Sequence, residues 1–297
     1  MNKQMLVDKK VINSPIRWTG SKRKLLNEML VAFDKRKSIY IEPFLGSGIV
    51  LLNVLESGLY KEYYVNDINR SIIIFYNCLQ KNFDLLIDEI EKISCEYNNL
   101  TNLDEKKDYF YLIRSRYNEE KMIDLKQSSY FWFLMKTCFN GVYRVNSHNK
   151  FNVPFGKKDK IKFDKEYLKR ISFLIKNVNF SCLQYQDFMD ELQKKINIDN
   201  CFVYCDPPYL PVTSSTKNHI LYTSDKFQHQ DFVEYMSLLN QKSISSIMIS
   251  MSKSEYGEAL YSKNFEERYL NEILRTVNPQ KIIKSSEMIY INYSFDI

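Results

Sequence analysis

An α/β fold with a doubly wound, mostly parallel sheet is predicted by three features of the sequence. Short β-branched or aromatic runs recur, helical patterns lie between or beside them, and the turns joining the two carry chemically distinctive residues. A count of 7 Gly and 7 Pro in 297 residues argues against disorder and against a loop-rich all-β fold. Hydrophobic content of 44%, with 14% aromatic, fills a sizeable core.

Along the chain, Leu25, Leu26, Met29, Leu30 and Phe33 share one face of a helix opened by "TGSK". Strand runs follow at Ser38–Glu42 and Glu62–Asn66, and Val50, Leu51, Val54 and Leu55 mark the helix between them, after "GSG". From about Asn69 to Lys176 the alternation stops. That stretch is helical, includes "SSYFWFLMKTCFNG", and ends in the polar loop "NGVYRVNSHNKFNVPFGKK". Strand runs resume at Val178–Leu183, Cys201–Cys205 and Ser245–Ser250, and "SSEMIYINYSF" alternates apolar and polar residues as a closing strand. The prediction is an α/β domain in two pieces, residues 1–68 and 177–297, around a helical domain of residues 69–176.

Composition excludes several classes. No apolar run reaches the ~18 residues of a membrane span. The N-terminal "MNKQMLVDKK" lacks the apolar region of a signal peptide, so a cytoplasmic protein is expected. The six cysteines form no C-x-x-C, and Cys182, Cys201 and Cys205 sit in apolar runs, as reduced core thiols would. With only three histidines, no metal site is expected. A net charge of +6 permits a polyanionic partner without requiring one.

Three turns carry the chemistry. In "YIEPFLGSGIVLLN" a strand ends at Glu42 and enters a helix through Gly46 and Gly48, where ligands of doubly wound sheets bind. G-x-G alone is also a plain strand–helix turn. In "YYVNDIN", Asp67 ends the next strand about 20 residues on, the spacing of a carboxylate that accepts from ribose hydroxyls. Together they point to an adenosine-containing cofactor, although the third glycine of a dinucleotide fingerprint is missing. In "FVYCDPPYLP", two prolines hold Asp206 out of helix and fix the Pro207 carbonyl beside it. Two acceptors and the Tyr209 ring, with no strong nucleophile, suit a planar group bearing an NH2. Held by both N–H bonds, adenine N6 would have its lone pair freed from conjugation to attack.

With these residues in view, the chain resembles the alpha-group, Dam-like DNA adenine-N6 methyltransferases from end to end. "IRWTGSKRKLL", "EPFLGSG", "NDIN", "CFNGVYRVNSHNKFNVPFG" and "CDPPY" resemble the family's motifs in the family's order. The resemblance implies a Rossmann-like catalytic domain that binds S-adenosylmethionine, with residues 69–176 as the target-recognition domain. It implies that Trp18 and Lys22 line the cofactor's methionine end, and that Glu42, Phe44, Gly46 and Gly48 form its loop. Asp67 would bind the ribose, and Asp187 and Phe188 the cofactor's adenine. Asp206, Pro207 and Tyr209 would hold the target adenine, with Asp206 also facing the cofactor. Phe139, Asn140 and Arg144 fall where the family inserts side chains into double-stranded DNA and reads bases. Phe139 stands where a Tyr is frequent, and Ser21 where many relatives have Gly. Lys157 and Lys158, after Gly156, would meet phosphates.

The implied activity is methyl transfer to N6 of a flipped-out adenine, with GATC the first candidate sequence. The enzyme would be solitary or paired with a cognate restriction endonuclease, and a monomer suffices for one transfer. Two alternatives are an RNA adenine methyltransferase and a catalytically idle DNA-binding protein on the same fold. The duplex-reading segment disfavours the first, and the intact Asp206–Tyr209 and Gly46–Gly48 turns disfavour the second.

Overall fold

A computed structural model describes residues 11–119, 123–209, 227–278 and 281–295 of the protein. The N-terminal "MNKQMLVDKK", His219 and the last two residues of "FVYCDPPYLP" lie outside these. The described strands form one seven-stranded sheet in the order β3-β2-β1-β4-β5-β7-β6. They are β1 (Ile39–Glu42), β2 (Glu62–Asn66), β3 (Val178–Ser181), β4 (Cys201–Cys205), β5 (Ser246–Ser252), β6 (Glu266–Asn278) and β7 (Lys281–Ile291). The first five run parallel, and β7 lies antiparallel to both β5 and β6. Strands β1 and β4 are buried throughout, as parallel strands covered on both faces must be.

Helices α1 (Leu26–Ala32) and α2 (Ile49–Ser57) flank β1, and α8 (Tyr185–Lys195), α9 (His229–Lys242) and α10 (Glu255–Tyr261) serve the second half. The expected α1 face is buried: Leu25, Leu26, Met29, Leu30 and Phe33 are each at most 6% exposed. Between β2 and β3 lie α3 (Arg70–Lys81), α4 (Phe83–Asn98), α5 (Leu103–Tyr117), α6 (Asp124–Thr137) and α7 (Lys165–Leu174). Their apolar faces join Val50, Leu51, Val65 and Phe202 in one continuous hydrophobic cluster. A second cluster lies on the sheet's other face, around Val203, Phe188, Phe232 and Tyr290.

Two local expectations differ from what is observed. The third strand ends at Ser181 and not at Leu183. The Asn66 side chain captures Leu183 instead, accepting from its N–H at 2.9 Å and donating to its carbonyl at 3.0 Å. Cys182 is therefore exposed and not a core thiol. The long strand β6 was not foreseen. Among the described residues no helix is long and apolar enough to cross a membrane.

Candidate active site

The parallel strands run to a common edge, and the chain reverses its winding between β1 and β4, which pair directly. Loops at such a reversal splay apart and leave a crevice beyond the carboxyl ends of the strands. Three acids arrive there by the same local rule, each at or just past the end of a parallel strand. Glu42 closes β1, Asp67 follows β2, and Asp206 follows β4.

The glycine turn is built around Asp67. Its carboxylate accepts from the backbone N–H of Gly46 and of Asn69, both at 2.8 Å. Burial still raises its pKa to about 6, against the pull of those two bonds. The neighbouring Asn66, unremarked in the sequence, ties the turn together by donating to the Pro43 carbonyl at 3.1 Å while its own carbonyl accepts from Leu45 at 2.8 Å. Gly48 enters α2 with φ of 71°. A Cβ there would lie 2.5 Å from the Tyr76 hydroxyl, so both backbone angle and space require glycine.

Lys22 crosses to this edge from the turn before α1 and is 2% exposed. Its ammonium lies 2.5 Å from Asp206 Oδ1 and 3.3 Å from Glu287 Oε1, and it also bonds the Tyr209 hydroxyl. Burial alone would lower its pKa, but the charges of Asp206, Tyr209 and Glu287 outweigh that and hold it well above the ordinary lysine range. Glu287 had no place in the sequence expectation. It lies on β7 opposite Ser252, reaching the same edge because β7 runs against its neighbours.

Glu42 is buried with its carboxylate accepting from the Tyr40 hydroxyl at 2.9 Å. Burial first, then the charges of Asp206 and Asp67, push its pKa well above the carboxylate range. Four carboxyl groups thus share the edge with the Lys22 ammonium. With Glu42 shifted toward its neutral form, the other three still outnumber that ammonium, which suits a ligand carrying positive charge. The hydroxyl of Tyr204, fully buried on β4, has no hydrogen-bond partner among the described residues. Its phenol is raised by burial and then by the charges of Asp206 and Glu42, which puts an unsatisfied polar atom beside the acids.

The catalytic-turn candidates are held from behind. Pro207 is buried, Tyr209 donates to Glu287 Oε1 at 2.6 Å, and the Lys22 ammonium lies 4.7 Å from the Tyr209 ring centroid. His229, at the start of α9, is buried close to the Pro208 backbone. The ring's Nδ1 pairs with the Tyr261 hydroxyl at 2.9 Å. Burial holds this histidine down to about 4. The sparse histidines of the sequence concealed this brace.

Other expected residues lie further out. Phe44 packs against Tyr185, Phe227 and Phe232, with ring centroids 5.5–5.6 Å apart. Phe188 is buried in the second hydrophobic cluster, while Asp187 is exposed on the first turn of α8. Trp18 stacks on Tyr143 at 5.3 Å, which joins the segment before α1 to the loop after α6. That loop is pinned by Cys138–Phe155 and Val145–Phe151 bridges. On it Phe139 is 46% exposed, and Asn140 adopts φ of 54°. Arg144 is exposed, and its Nε donates to the Asn152 carboxamide at 2.8 Å. Lys157 is exposed, and the Lys158 carbonyl accepts from Tyr97.

Comparison with known proteins identifies the family. The family model described as "D12 class N6 adenine-specific DNA methyltransferase" matches residues 18–277. The chain is 32% identical to "Type II methyltransferase M.MjaIII" of Methanocaldococcus jannaschii over 260 residues, 84% of this chain and 87% of that protein. It is 29% identical to "DNA adenine methylase" of Haemophilus influenzae over 279 residues, 93% of this chain and 92% of that protein. "DNA adenine methylase" of Escherichia coli (strain K12) is 29% identical over 212 residues, 71% of this chain and 70% of that protein. The matched span reaches from Trp18, through the glycine turn, the helical segment and the Asp206–Tyr209 turn, to the sixth strand; the chain belongs to the D12 class of N6 adenine-specific DNA methyltransferases and is a Dam-like, adenine-specific DNA methyltransferase.

Proposed function

We propose that the methyl donor is S-adenosylmethionine and that the acceptor is N6 of an adenine flipped out of duplex DNA. The observation that carries this reading is the excess of carboxyl groups, Glu42 and Glu287 among them fully buried, over the Lys22 ammonium at one sheet edge. The donor set fits the cofactor: Asp67 would accept from the ribose, and Glu42 would meet the α-ammonium. Gly46, Gly48, Phe44, Trp18 and Lys22 would complete that site, with Asp187 and Phe188 toward its adenine. Bound, S-adenosylmethionine supplies an electrophilic methyl group on a sulfonium.

The chain's own residues then position the acceptor. A stacked adenine hides N6, and flipping it out costs a few kcal/mol, which Phe139 would reduce by filling the gap. Asp206 and the Pro207 carbonyl would accept the two N–H bonds while Tyr209 stacks on the ring. Acceptors fixed in advance stabilise the positive charge that develops on N6 without reorganising. Positioning of this kind is worth up to about 7–11 kcal/mol.

We take residues 69–176 as the target-recognition domain, with Asn140 and Arg144 at the bases and Lys157 and Lys158 at phosphates. GATC is the proposed sequence. The enzyme would act alone or beside a cognate restriction endonuclease. One site completes one transfer, so a cytoplasmic monomer is sufficient.

The test is expression in a host lacking adenine methylation, with modified bases mapped by long-read sequencing. N6-methyladenine at one short motif is expected, and unmodified DNA would overturn the reading. In the same assay Arg144→Ala should relax one motif position, since a bidentate guanine contact is worth about 1–3 kcal/mol of discrimination. An unchanged motif would remove Arg144 from base reading.

Cofactor affinity should also depend on pH through Asp67. Its pKa is raised to about 6, and the ionised form is the better acceptor. Affinity should therefore weaken as pH falls through 6 and level off above it. Asp67→Asn should bind more weakly and lose this dependence, as read by calorimetric titration between pH 5 and 8. A wild-type affinity flat across that range would sink the assignment.

A further inference from the structure

We propose that Glu287 is a positioning residue for methyl transfer: it holds the Lys22 ammonium and the Tyr209 hydroxyl so that Asp206 can be released to the incoming amine. The inference rests on the assignment of Asp206–Tyr209 as the base-holding turn, and adds a residue that this assignment does not contain.

The difficulty Glu287 resolves is visible in the contacts of Asp206. Its Oδ1 lies 2.5 Å from the Lys22 ammonium. An amine that donates to this oxygen must compete with a full positive charge there. Charge-assisted bonds of this kind are roughly twice as strong as neutral ones, so the competition would favour Lys22. Glu287 changes the balance. Its Oε1 is 3.3 Å from the same ammonium, on the side of β7, and offers a second carboxylate without requiring Lys22 to leave the site.

Glu287 is itself fixed. It is 0% exposed, and its Oε1 also accepts from the Tyr209 hydroxyl at 2.6 Å and the Ser250 hydroxyl at 3.1 Å. A buried carboxylate is costly, and replacing a buried ion pair with apolar groups is often neutral or stabilising. Partnering the buried Lys22 is a structural role, but that role alone would not lower kcat with KM unchanged. Tyr209 adds a second consequence: the bond to Glu287 sets the plane of the ring on which the base would stack. One carboxylate thus orients the stacking ring and supplies the alternative partner for the lysine.

The test compares purified wild-type protein with Glu287→Gln and Glu287→Asp. DNA from a host lacking adenine methylation is the substrate, and kcat, KM for DNA and S-adenosylmethionine affinity are measured. Glu287→Gln leaves Lys22 committed to Asp206, and is expected to lower kcat by about 10–100-fold with KM and cofactor affinity within about threefold. Glu287→Asp retains the charge one methylene further away and should recover most of that loss, remaining about threefold below wild type.

A wild-type kcat in Glu287→Gln would overturn the inference. So would a loss confined to KM or cofactor affinity, or an aspartate variant no better than glutamine. If the glutamine variant does not fold, the aspartate variant decides: a lower kcat with unchanged KM supports the role, and an unchanged kcat refutes it. Wild-type protein that forms no N6-methyladenine would instead overturn the proposed function, and this inference with it.

Discussion

Asp206→Ala is expected to bring N6-methyladenine formation down by roughly 10^3-fold while the protein stays folded and binds its cofactor. The argument starts from the strand. β4 is buried on both faces and delivers Asp206 to the sheet edge, while Pro207 and Pro208 prevent the chain from continuing as strand or turning into helix. The carboxylate is thus preorganised, and its removal eliminates an acceptor that water does not replace in the same geometry. Folding should survive because Lys22 keeps Glu287 and the Tyr209 hydroxyl as partners and is not left as an isolated buried charge. Asp206→Asn retains the shape and one acceptor oxygen and should fall by about 10^2-fold. Steady-state incorporation of labelled methyl groups measures the rates, and a cofactor titration on each variant measures affinity, which should change by less than about tenfold. An alanine variant that keeps more than a tenth of the wild-type rate would remove Asp206 from the chemistry.

The site became legible in the sequence wherever a residue's position follows from its own strand. Glu42, Asp67 and Asp206 each end a parallel strand, and strand ends can be read locally from an apolar run that meets Pro, Gly or Asn. Glu287 could not be found that way. In "SSEMIYINYSF" it is one polar residue in an alternating strand, where it reads as a solvent-facing position. Its burial arises because β7 runs antiparallel beside β5, so that its middle, at Glu287, lies opposite Ser252 at the edge where the parallel strands finish. His229 was hidden for a similar reason, since its role depends on Pro208 and Tyr261, both distant in sequence. The sixth strand was missed on other grounds. Glu266, Glu267, Arg268, Glu272 and Arg275 break its apolar pattern, and among the described strands β6 pairs with β7 alone, at the sheet edge where charge discourages further pairing.

These differences have a common physical origin. Local patterns record what a segment needs for its own burial, whereas an acid cluster depends on which strands the topology lays side by side. Lys22 shows both effects. The motif around it could be read from the sequence, but its burial under Asp206, Tyr209 and Glu287 needed all three to converge. The Trp18–Tyr143 stack likewise joins two segments that were each legible while their contact was not.

Gly48→Ala should produce the second large effect, acting through the backbone and not through charge. The residue sits at φ of 71°, which costs an L side chain about 1 kcal/mol or more. The new Cβ would stand 2.5 Å from the Tyr76 hydroxyl and 2.8 Å from its Cζ. Tyr76 has little freedom to yield: it is fully buried, donates to the Ser47 carbonyl at 2.6 Å, and stacks on Phe180 at 5.6 Å. Overpacking of that kind adds about 1–3 kcal/mol, so denaturant unfolding should show a total loss near 2–4 kcal/mol. Gly46 presents its N–H to Asp67 in the same turn, so the displaced backbone should also weaken cofactor binding. The Tyr76→Phe change separates the two contributions. It removes the hydroxyl but leaves the ring carbon, so the double variant should be less destabilised than the sum of the singles by about 1 kcal/mol. Strict additivity would show that the Tyr76 hydroxyl takes no part in excluding a side chain at position 48, leaving the backbone angle and the ring carbons as the cause.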